Sequence, residues 1–301
     1  MAIKSNKLKN NETPFRNLHS FEVEESTALL PFLIAKMPEK SRNNIKSLLG
    51  YRQVLVDGRV VTQFNHTLAK GQKVEISGQR QTLSPVVEIV YEDEWLIVIN
   101  KPSGLLSIAT KDEKRETAYS YLSEYVKKQG RGNKIFIVHR LDRETSGLLL
   151  FAKNEKIKRV LQDSWNDSVI ERTYVALVEG QVQKPEGVIS SFLYEDKSFI
   201  MHSSADSSKG QKAVTRFKVL KSNEFWSLLE ISLETGRKNQ IRVHMQDIGH
   251  SVAGDKKYGA KTNPVKRLAL HAINLSFIHP VLNEKMVFKT AIPKSFPKIF
   301  N

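Results

Sequence analysis

From about residue 89 onward the sequence alternates short apolar, β-branched segments with turns, and few helical segments separate them. The segments RTYVALVEG, TRFKVLKSN, WSLLEISLE and NQIRVHMQ have the composition of strands, and LIVIN is short and wholly apolar. A doubly wound parallel sheet needs a helix between successive strands, whereas antiparallel neighbours do not. The sequence therefore predicts an α+β domain with a mixed, mainly antiparallel sheet over residues 89–301.

Residues 18–80 have a different pattern, in which two helical segments precede two short β-branched segments. Ser41 is a candidate N-cap of the second helix, and Gly50 is its expected end. The pair Asp57-Gly58 lies between VLV and RVV and is a strong hairpin signal. These features predict a small α+β domain, preceded by a flexible basic tail over residues 1–17 and followed by a linker over residues 81–88.

The charge of the chain favours a polyanionic partner. Its 47 Lys and Arg residues against 32 Asp and Glu residues give a net charge of +15, and such an excess attracts phosphate backbones regardless of their sequence. A basic surface that serves only solubility is the alternative. The absence of cysteine, of a long apolar segment and of a signal peptide leads us to expect a cytoplasmic protein without a membrane partner.

Sequence motifs for common cofactors are missing. The chain has no GxxxxGK[ST] or GxGxxG motif and no HExxH motif. Histidines 139, 244, 250 and 271 could be combined with Asp142 into a metal site, but nothing in their spacing requires it. We therefore expect neither cofactor nor metal, and chemistry that depends on carboxylate, guanidinium and phenol groups.

The best candidate for a reacting group is Asp142, in VHRLDRETSGLLLFAK, between Arg140 and Arg143. A second basic cluster, LETGRKNQIRVHM, contains Arg237 and Arg242. If a guanidinium folds against Asp142, it keeps the carboxylate ionised, and an ionised carboxylate can act as nucleophile or base towards a sugar carbon. A surface aspartate that closes a turn is the alternative. The following TSGLLLFAK favours a fixed position at the edge of a buried strand.

HRLDRETSGLLLFAK resembles the signature of the RluA-type family of RNA pseudouridine synthases. The resemblance covers most of residues 86–301 and includes YEDEWLIVINKPSGLL, ERTYVALVEG, LETGRKNQIRVHM, AGDKKYG and LALHAINLSFIHP in the family's order. Residues 18–78 resemble the S4 RNA-binding domain, a frequent companion of this family. The two resemblances agree with each other and with the basic charge.

This resemblance implies the pseudouridine synthase fold and an isomerase without a cofactor. Such an enzyme cleaves the C1′–N1 bond of a uridine, rotates the base and rejoins it through C5. The expected partner is RNA, with large-subunit ribosomal RNA favoured and transfer RNA as the alternative, and the expected state is a monomer. A catalytically silent RNA-binding or ribosome-assembly factor on the same fold is the competing reading.

The resemblance also assigns three catalytic residues. Asp142 corresponds to the family's aspartate, which either attacks C1′ or assists at C2′. Tyr174 corresponds to the tyrosine that stacks on the uracil. Arg242 corresponds to the arginine that pairs with the aspartate, and in an NQIRVH strand it would lie on the face opposite to Ile241 and Val243.

Further residues are expected to bind RNA. By the resemblance, Arg140 fills the space that the flipped uridine vacates, and Lys266 and Leu268 line the uracil pocket. We add Ile241 to the substrate-binding set, and Arg42, Lys46 and Arg52 to the RNA-binding surface of the small domain. Asn239 occupies a position where the family usually has histidine. If that position assists RNA docking, the difference alters affinity or substrate choice; if it only fixes the loop by a hydrogen bond, little changes.

Overall fold

The structure is a computed structural model that describes residues 17–50, 53–61, 63–78, 87–110, 116–165 and 169–300. The chain divides into two compact units, a smaller one over residues 9–84 and a larger one that includes residues 85–301. Residues 1–16 of the predicted tail, most of the predicted linker and Arg52 lie outside the described residues, whereas Asn17 begins the first strand. No helix in the described ranges is long and apolar enough to cross a membrane.

The smaller unit is α+β. Its strands are β1 Asn17–Glu22, β2 Thr27–Ala28, β3 Val54–Val56, β4 Arg59–Val60, β5 Thr67–Leu68 and β6 Lys73–Ser77. Its helices are α1 Leu29–Lys36 and α2 Arg42–Gly50. One sheet has the order β1-β6-β3-β4, and β2 pairs with β5. The helices contribute Leu29, Leu33, Ile45 and Leu49 to an apolar core shared with the sheet.

The local signals in this unit are confirmed. The Ser41 hydroxyl accepts a hydrogen bond from the Asn44 amide at 3.2 Å, as an N-cap does. Asp57 and Gly58 have φ angles of 48° and 74°, the left-handed pair that a tight two-residue hairpin requires. The hairpin joins β3 to β4, with Val56 opposite Arg59.

The larger unit contains the remaining elements. Its strands are β7 Glu88–Glu92, β8 Leu96–Lys101, β9 Phe136–Ile137, β10 Ser146–Ala152, β11 Val169–Glu179, β12 Glu186–Glu195, β13 Met201–Ser204, β14 Gln211–Ser222, β15 Trp226–Leu233, β16 Leu270–Ile278 and β17 Lys285–Lys289. Its α-helices are α3 Ala118–Gln129, α4 Glu155–Asp163 and α5 Gln240–Asp247, with short 3-10 turns at Lys256–Tyr258 and Pro297–Phe300.

These strands form one large sheet. Its order is β13-β12-β14-β15-β11-β16-β10-β8-β7, with β17 beside β16 and β9 beside β10. Among the described strands, β10 and β16 are the one parallel pair, and every other pairing is antiparallel. The predicted α+β class with a mixed, mainly antiparallel sheet is confirmed.

The strand predicted for NQIRVHMQ is wrong, because Gln240–Asp247 form helix α5. Ile241, Val243 and Met245 alternate in the sequence, which is the pattern of a strand. However, Gln240 and His244 are buried as well. They are four positions apart, and burial at this spacing fits one face of a helix. Position 242 is therefore oriented by a helix, and the strand alternation used above to orient Arg242 does not apply.

The contact between β10 and β16 brings distant segments together. Gly147 of β10 pairs with Ala272 of β16, and Ala272 pairs with Tyr174 of β11. Gly147 has a φ of 114°, and a Cβ there would lie 2.2 Å from the Ala272 carbonyl oxygen. A glycine is therefore required at this crossing, and the start of β10 lies one strand away from β11, which carries Tyr174, with β16 between them.

We expect Gly147→Ala to lower the free energy of unfolding by at least about 2 kcal/mol, because the new methyl group overlaps backbone atoms and the residue keeps an unfavourable φ. Denaturant unfolding followed by circular dichroism measures this. Gly132→Ala is the control, since a Cβ there meets nothing within 4 Å, and it should change stability by less than about 0.5 kcal/mol. Equal effects of the two substitutions would contradict the steric explanation.

Candidate active site

An open cleft of about 210 Å³ lies where the turn before β10 meets strand β11 and the start of helix α5. Five of the residues predicted from the sequence line this cleft, namely Arg140, Asp142, Tyr174, Ile241 and Arg242. Asp142 and Arg242 are 100 positions apart in the chain, so only the tertiary fold brings them together.

The turn that carries Asp142 is stabilised by hydrogen bonds from Lys101, the last residue of β8. The Lys101 ammonium donates hydrogen bonds to the carbonyl oxygens of Pro102, Leu105 and Arg143 at 3.0, 2.7 and 3.1 Å. Lys101 is completely buried, and its three N–H donors match three carbonyl acceptors. The residue after Asp142 is thereby fixed to the segment KPSGL.

Two serines of the same segment complete this support. The Ser107 hydroxyl donates to the Leu141 carbonyl at 2.7 Å and accepts from the Leu141 amide at 3.1 Å. The Ser103 hydroxyl donates to the Glu144 carbonyl at 2.7 Å. The backbone is thus held on both sides of Asp142, and its side chain projects into the cleft from a fixed turn.

The burial of Lys101 affects its protonation. Burial lowers the pKa of the Lys101 ammonium to about 7, while the nearby Glu144 and Asp142 carboxylates oppose the shift and Arg267 adds to it. The ammonium therefore titrates far below the usual range for lysine.

Arg242 makes its strongest bonds to a residue that has no place among our predictions. Its Nε and Nη2 donate to the two carboxylate oxygens of Asp255 at 2.6 and 2.7 Å, a bidentate pair. Its Nη1 donates to Asp142 Oδ2 at 3.4 Å. Asp255 is buried, whereas Asp142 is partly open to solvent. Asp255 thus fixes the guanidinium, and the remaining Nη1 reaches towards the cleft.

Asn239 and Tyr258 hold Arg242 from two further sides. Arg242 Nη1 donates to Asn239 Oδ1 at 3.1 Å, and Asn239 Nδ2 donates to the Tyr258 hydroxyl at 2.9 Å. The guanidinium carbon lies 4.8 Å from the centre of the Tyr258 ring, within reach of a cation–π contact. Asn239 has a φ of 54°, which asparagine tolerates better than most residues. Its side chain therefore fixes the arginine and the start of α5.

The charges of Arg242 and Tyr174 follow from these contacts. Burial alone would lower the pKa of the Arg242 guanidinium, but the bonds to Asp255 and the charge of Asp142 raise it above its usual value. Burial also raises the pKa of the Tyr174 phenol, with Arg172 opposing and Asp142 adding to the shift. Near neutral pH, Arg242 is cationic and Tyr174 keeps its proton.

Tyr174 presents an aromatic wall to the cleft. It lies on β11 between Ile231 of β15 and Ala272 of β16, and its ring packs partly buried against the apolar core. Leu233 and Leu270 add apolar surface to the same wall. This half of the cleft offers a flat apolar surface, while the Asp142–Arg242 half is charged.

Two predicted pocket residues lie elsewhere. Leu268 is buried in the core, and Lys266 is exposed; neither lines the cleft, whereas Leu270 does. The basic residue that reaches inward here is Arg267, whose Nη2 donates to the Ser146 hydroxyl at 2.6 Å. Arg267 thereby contacts the first residue of β10, four residues after Asp142.

The predicted RNA-binding residues of the smaller unit are exposed where they are described. Arg42 and Lys46 lie one turn apart on α2, and both side chains face solvent. Arg52 falls outside the described residues. Their roles stay predictions.

The histidines considered for a metal are engaged in separate hydrogen bonds. His244 lies between the Ser191 and Thr215 hydroxyls, His271 bonds to Ser146, and His139 accepts from the Leu150 amide. Within the described part of the chain, no group of three or more His, Cys, Asp and Glu side chains is arranged to hold a metal ion.

The sequence reasoning missed three residues that organise the cleft, namely Lys101, Asp255 and Tyr258. All three lie within segments whose family resemblance was noted, VINKPSGLL and AGDKKYG. A charged residue next to apolar strand residues, as in LIVINK, was the available signal for Lys101. The partners of Asp255 and Tyr258 in the cleft, Arg242 and Asn239, lie thirteen and nineteen positions away, so the neighbouring sequence gives no signal for these contacts.

Comparisons with known proteins find similar chains. A family model described as RNA pseudouridylate synthase matches residues 95–247. The RNA pseudouridine synthase YhcT of Bacillus subtilis (strain 168), itself named as uncharacterized, is 34% identical, over 84% of this chain and 86% of its own length.

Relatives with assigned substrates are also similar. The tRNA pseudouridine synthase C of Vibrio parahaemolyticus is 34% identical, over 72% of this chain and 96% of its own. The ribosomal large subunit pseudouridine synthase D of Zymomonas mobilis is 34% identical, over 71% of this chain and 72% of its own. The solved structure of human RNA Pseudouridylate Synthase Domain Containing 4 superposes with a TM-score of 0.57 at 25% identity, covering 69% of this chain and 89% of that one.

The low pKa of Lys101 makes a prediction about stability. The pKa of an unfolded lysine is about 10.4, so between about pH 7 and 10 the unfolded chain binds more protons than the folded one. The contribution of Lys101 to the free energy of unfolding should therefore rise with pH, by at most about 1.4 kcal/mol per pH unit.

Urea unfolding from pH 7 to 10 tests this. The difference in stability between the parent and Lys101→Met should shift in the parent's favour as the pH rises. The exposed Lys134, changed to Met, is the control, and its difference from the parent should stay constant. A constant difference for Lys101→Met as well would refute the lowered pKa.

Proposed function

The chain belongs to the RNA pseudouridylate synthase family, and we propose that it isomerises specific uridines of large-subunit ribosomal RNA to pseudouridine at the Asp142 cleft. The observation that carries this proposal is the carboxylate of Asp142, held on a braced turn beside Arg242 Nη1 at 3.4 Å. Its second oxygen, Oδ1, has no hydrogen-bond partner among the described residues and is available to a substrate.

Asp142 is the reacting group in this proposal. Cleavage of a C1′–N1 bond passes through an oxocarbenium-like state, which a nearby carboxylate stabilises. Asp142 either attacks C1′ or assists at C2′, and both routes need an ionised carboxylate within reach of the ribose. The partial exposure of Asp142 allows that approach, and the braced turn limits the reorganisation that it costs.

Arg242 provides a fixed hydrogen-bond donor beside the Asp142 carboxylate. Its bidentate bond to buried Asp255 removes rotational freedom from the guanidinium, so Nη1 keeps one direction. The contact to Asp142 is long, which leaves the carboxylate free to shift towards the sugar. The Arg242 guanidinium is therefore a fixed donor, and the Asp142 carboxylate beside it is not held in a short ion pair.

Tyr174 supplies the surface on which the uracil stacks. An aromatic ring opposite the charged half of the cleft holds a flat base by stacking, and a base that has been detached must be held while it rotates. Because the raised pKa keeps the phenol protonated, Tyr174 acts as a donor or through a water and not as a phenolate base.

The reaction balances without a co-reactant. The C1′–N1 bond breaks, the C1′–C5 bond forms, N1 gains a proton and C5 loses one to solvent. Flipping the uridine out of its stack costs a few kcal/mol, and exposed Arg140 on the wall of the cleft offers a planar guanidinium to the vacated space. The reaction therefore needs only RNA and the chain's own side chains.

The choice of RNA is supported by relatives of both kinds. Similar proteins are named for large-subunit ribosomal RNA and for transfer RNA, so transfer RNA is the second candidate. We favour ribosomal RNA because the smaller α+β unit, which we propose to be an S4-like RNA-binding domain, gives the chain a second basic surface. A silent RNA-binding factor is less well supported, since such a protein has no need to keep Asp142, Tyr174 and Arg242 around one cleft.

Replacing Asp142 by Asn removes the charge and keeps the shape. We expect a loss of pseudouridine formation on the order of 10⁴-fold or more, with RNA binding nearly unchanged. Release of tritium from [5-³H]uridine-labelled, unmodified large-subunit ribosomal RNA reports the loss of the C5 hydrogen directly.

Asp163→Asn, the same chemical change at an exposed position at the end of α4, is the control and should keep full activity. Turnover by Asp142→Asn would remove Asp142 from the mechanism. Pseudouridine mapping in ribosomal and transfer RNA from cells with and without the gene then decides between the two substrates.

The RNA-binding role of the smaller unit is tested by charge reversal on α2. Arg42→Glu with Lys46→Glu should lower RNA affinity and reduce the slope of log affinity against log salt by about 1 per lost phosphate contact. Lys70→Glu with Lys73→Glu makes the same charge change outside the helix and should have a smaller effect. If both pairs act equally, net charge and not the helix surface explains the binding.

A further inference from the structure

Phe199 is an aromatic side chain displayed to solvent by a strained turn. It lies in the turn between β12 and β13, is 71% exposed, and has a φ of 60°. Single exposed apolar residues are common, but a bulky residue at positive φ is an outlier that glycine or asparagine would relieve. Phe199 therefore combines an exposed aromatic ring with an unfavourable backbone conformation.

The turn is fixed in this conformation by several hydrogen bonds. The Asp196 carboxylate accepts from the amides of Ser198 and Ile200 at 2.8 and 2.9 Å. The Phe199 amide donates to the Asp196 carbonyl at 3.0 Å. Lys257 Nζ donates to the Phe199 carbonyl at 3.0 Å. The ring is therefore presented by a defined backbone and not by a loose loop tip.

One cation lies near the ring and also lines the cleft. Lys238 Nζ lies 5.9 Å from the centre of the Phe199 ring, and Lys238 also lines the cleft and pairs with Glu195. Lys197 is exposed on the same turn, and Lys257, which donates to the Phe199 carbonyl, is also exposed. The turn is also tied to the site, because the amide of Met201 donates to the Tyr258 hydroxyl at 3.2 Å.

We propose that Phe199 is a stacking platform for an unpaired base of the substrate RNA that flanks the target uridine. Exposed aromatics beside a basic groove bind single-stranded nucleotides by stacking, while the cations track the backbone. Lys238 lies between the ring and the cleft, so the stacked base is a neighbour of the uridine and not the uridine itself. The proposal rests on the proposed function, because it assumes that RNA occupies the cleft.

Phe199→Asn removes the ring and suits the left-handed backbone. We expect KM for unmodified large-subunit ribosomal RNA transcript to rise about five- to tenfold, with kcat changed by less than about twofold. The salt dependence of binding should not change, since a neutral ring releases no counterions. The midpoint of thermal unfolding of Phe199→Asn should equal or exceed that of the parent. Phe199→Tyr keeps an aromatic ring and should therefore have the parent KM.

Phe225→Asn is the matched control. Phe225 is 65% exposed in the turn before β15, whereas the cleft residue Leu233 lies at the other end of that strand, roughly 26 Å away. Its KM should equal that of the parent. An unchanged KM for Phe199→Asn, or a loss that Phe199→Tyr does not restore, would overturn the proposal.

Binding alone separates this proposal from the proposed function. In the Asp142→Asn background, Phe199→Trp introduces a fluorescent ring, and titration with the same transcript should quench its added fluorescence, whereas Phe225→Trp should not be quenched. Quenching supports the platform even if the Asp142 cleft forms no pseudouridine. RNA binding without quenching, or no binding of either this transcript or a transfer RNA transcript, would overturn it.

Discussion

The approach of β10 to β16 at Gly147 is the contact on which the site depends. These strands form the parallel pair of a sheet whose other described pairings are antiparallel, and a side chain at Gly147 would overlap the Ala272 carbonyl. Because Ala272 also pairs with Tyr174, one residue joins the strand after Asp142 to the strand that carries the aromatic wall. The close backbone contact between β10 and β16 therefore sets where the side chains of the cleft can lie.

Two cationic side chains, Lys101 and Arg242, then hold the elements that surround Asp142. Lys101 is satisfied by three carbonyl oxygens, and Arg242 is satisfied by Asp255, so neither is an unpaired charge in the interior. Lys101 bonds only to backbone carbonyl oxygens around the turn, whereas Arg242 makes its short bonds to Asp255 and a longer one to Asp142. The backbone that carries Asp142 is thus fixed, while its carboxylate makes one long contact of 3.4 Å to Arg242 Nη1.

Local signals in the sequence predicted local structure well. The Ser41 cap, the Asp57-Gly58 turn and the strand LIVIN depend on a few neighbouring residues, and the structure contains all three. Helix α5 was misjudged because Ile241, Val243 and Met245 alternate, and only tertiary burial of Gln240 and His244 distinguishes helix from strand. Asp255 could not be found from the sequence, since its role follows from a guanidinium thirteen residues away. Family resemblance pointed to Asp142, Tyr174 and Arg242, and their grouping in one cleft required the fold.

The distance along the chain between Asp142 and Arg242 has a consequence for biosynthesis. At roughly 5–20 residues per second, translation of the 100 residues from Arg143 to Arg242 takes about 5–20 s. During that interval the nascent chain carries the aspartate on a turn that lacks both its arginine and the β16 strand it packs against. High contact order of this kind slows folding, so the Asp142 carboxylate acquires its surroundings only when nearly all of the sheet has been synthesised.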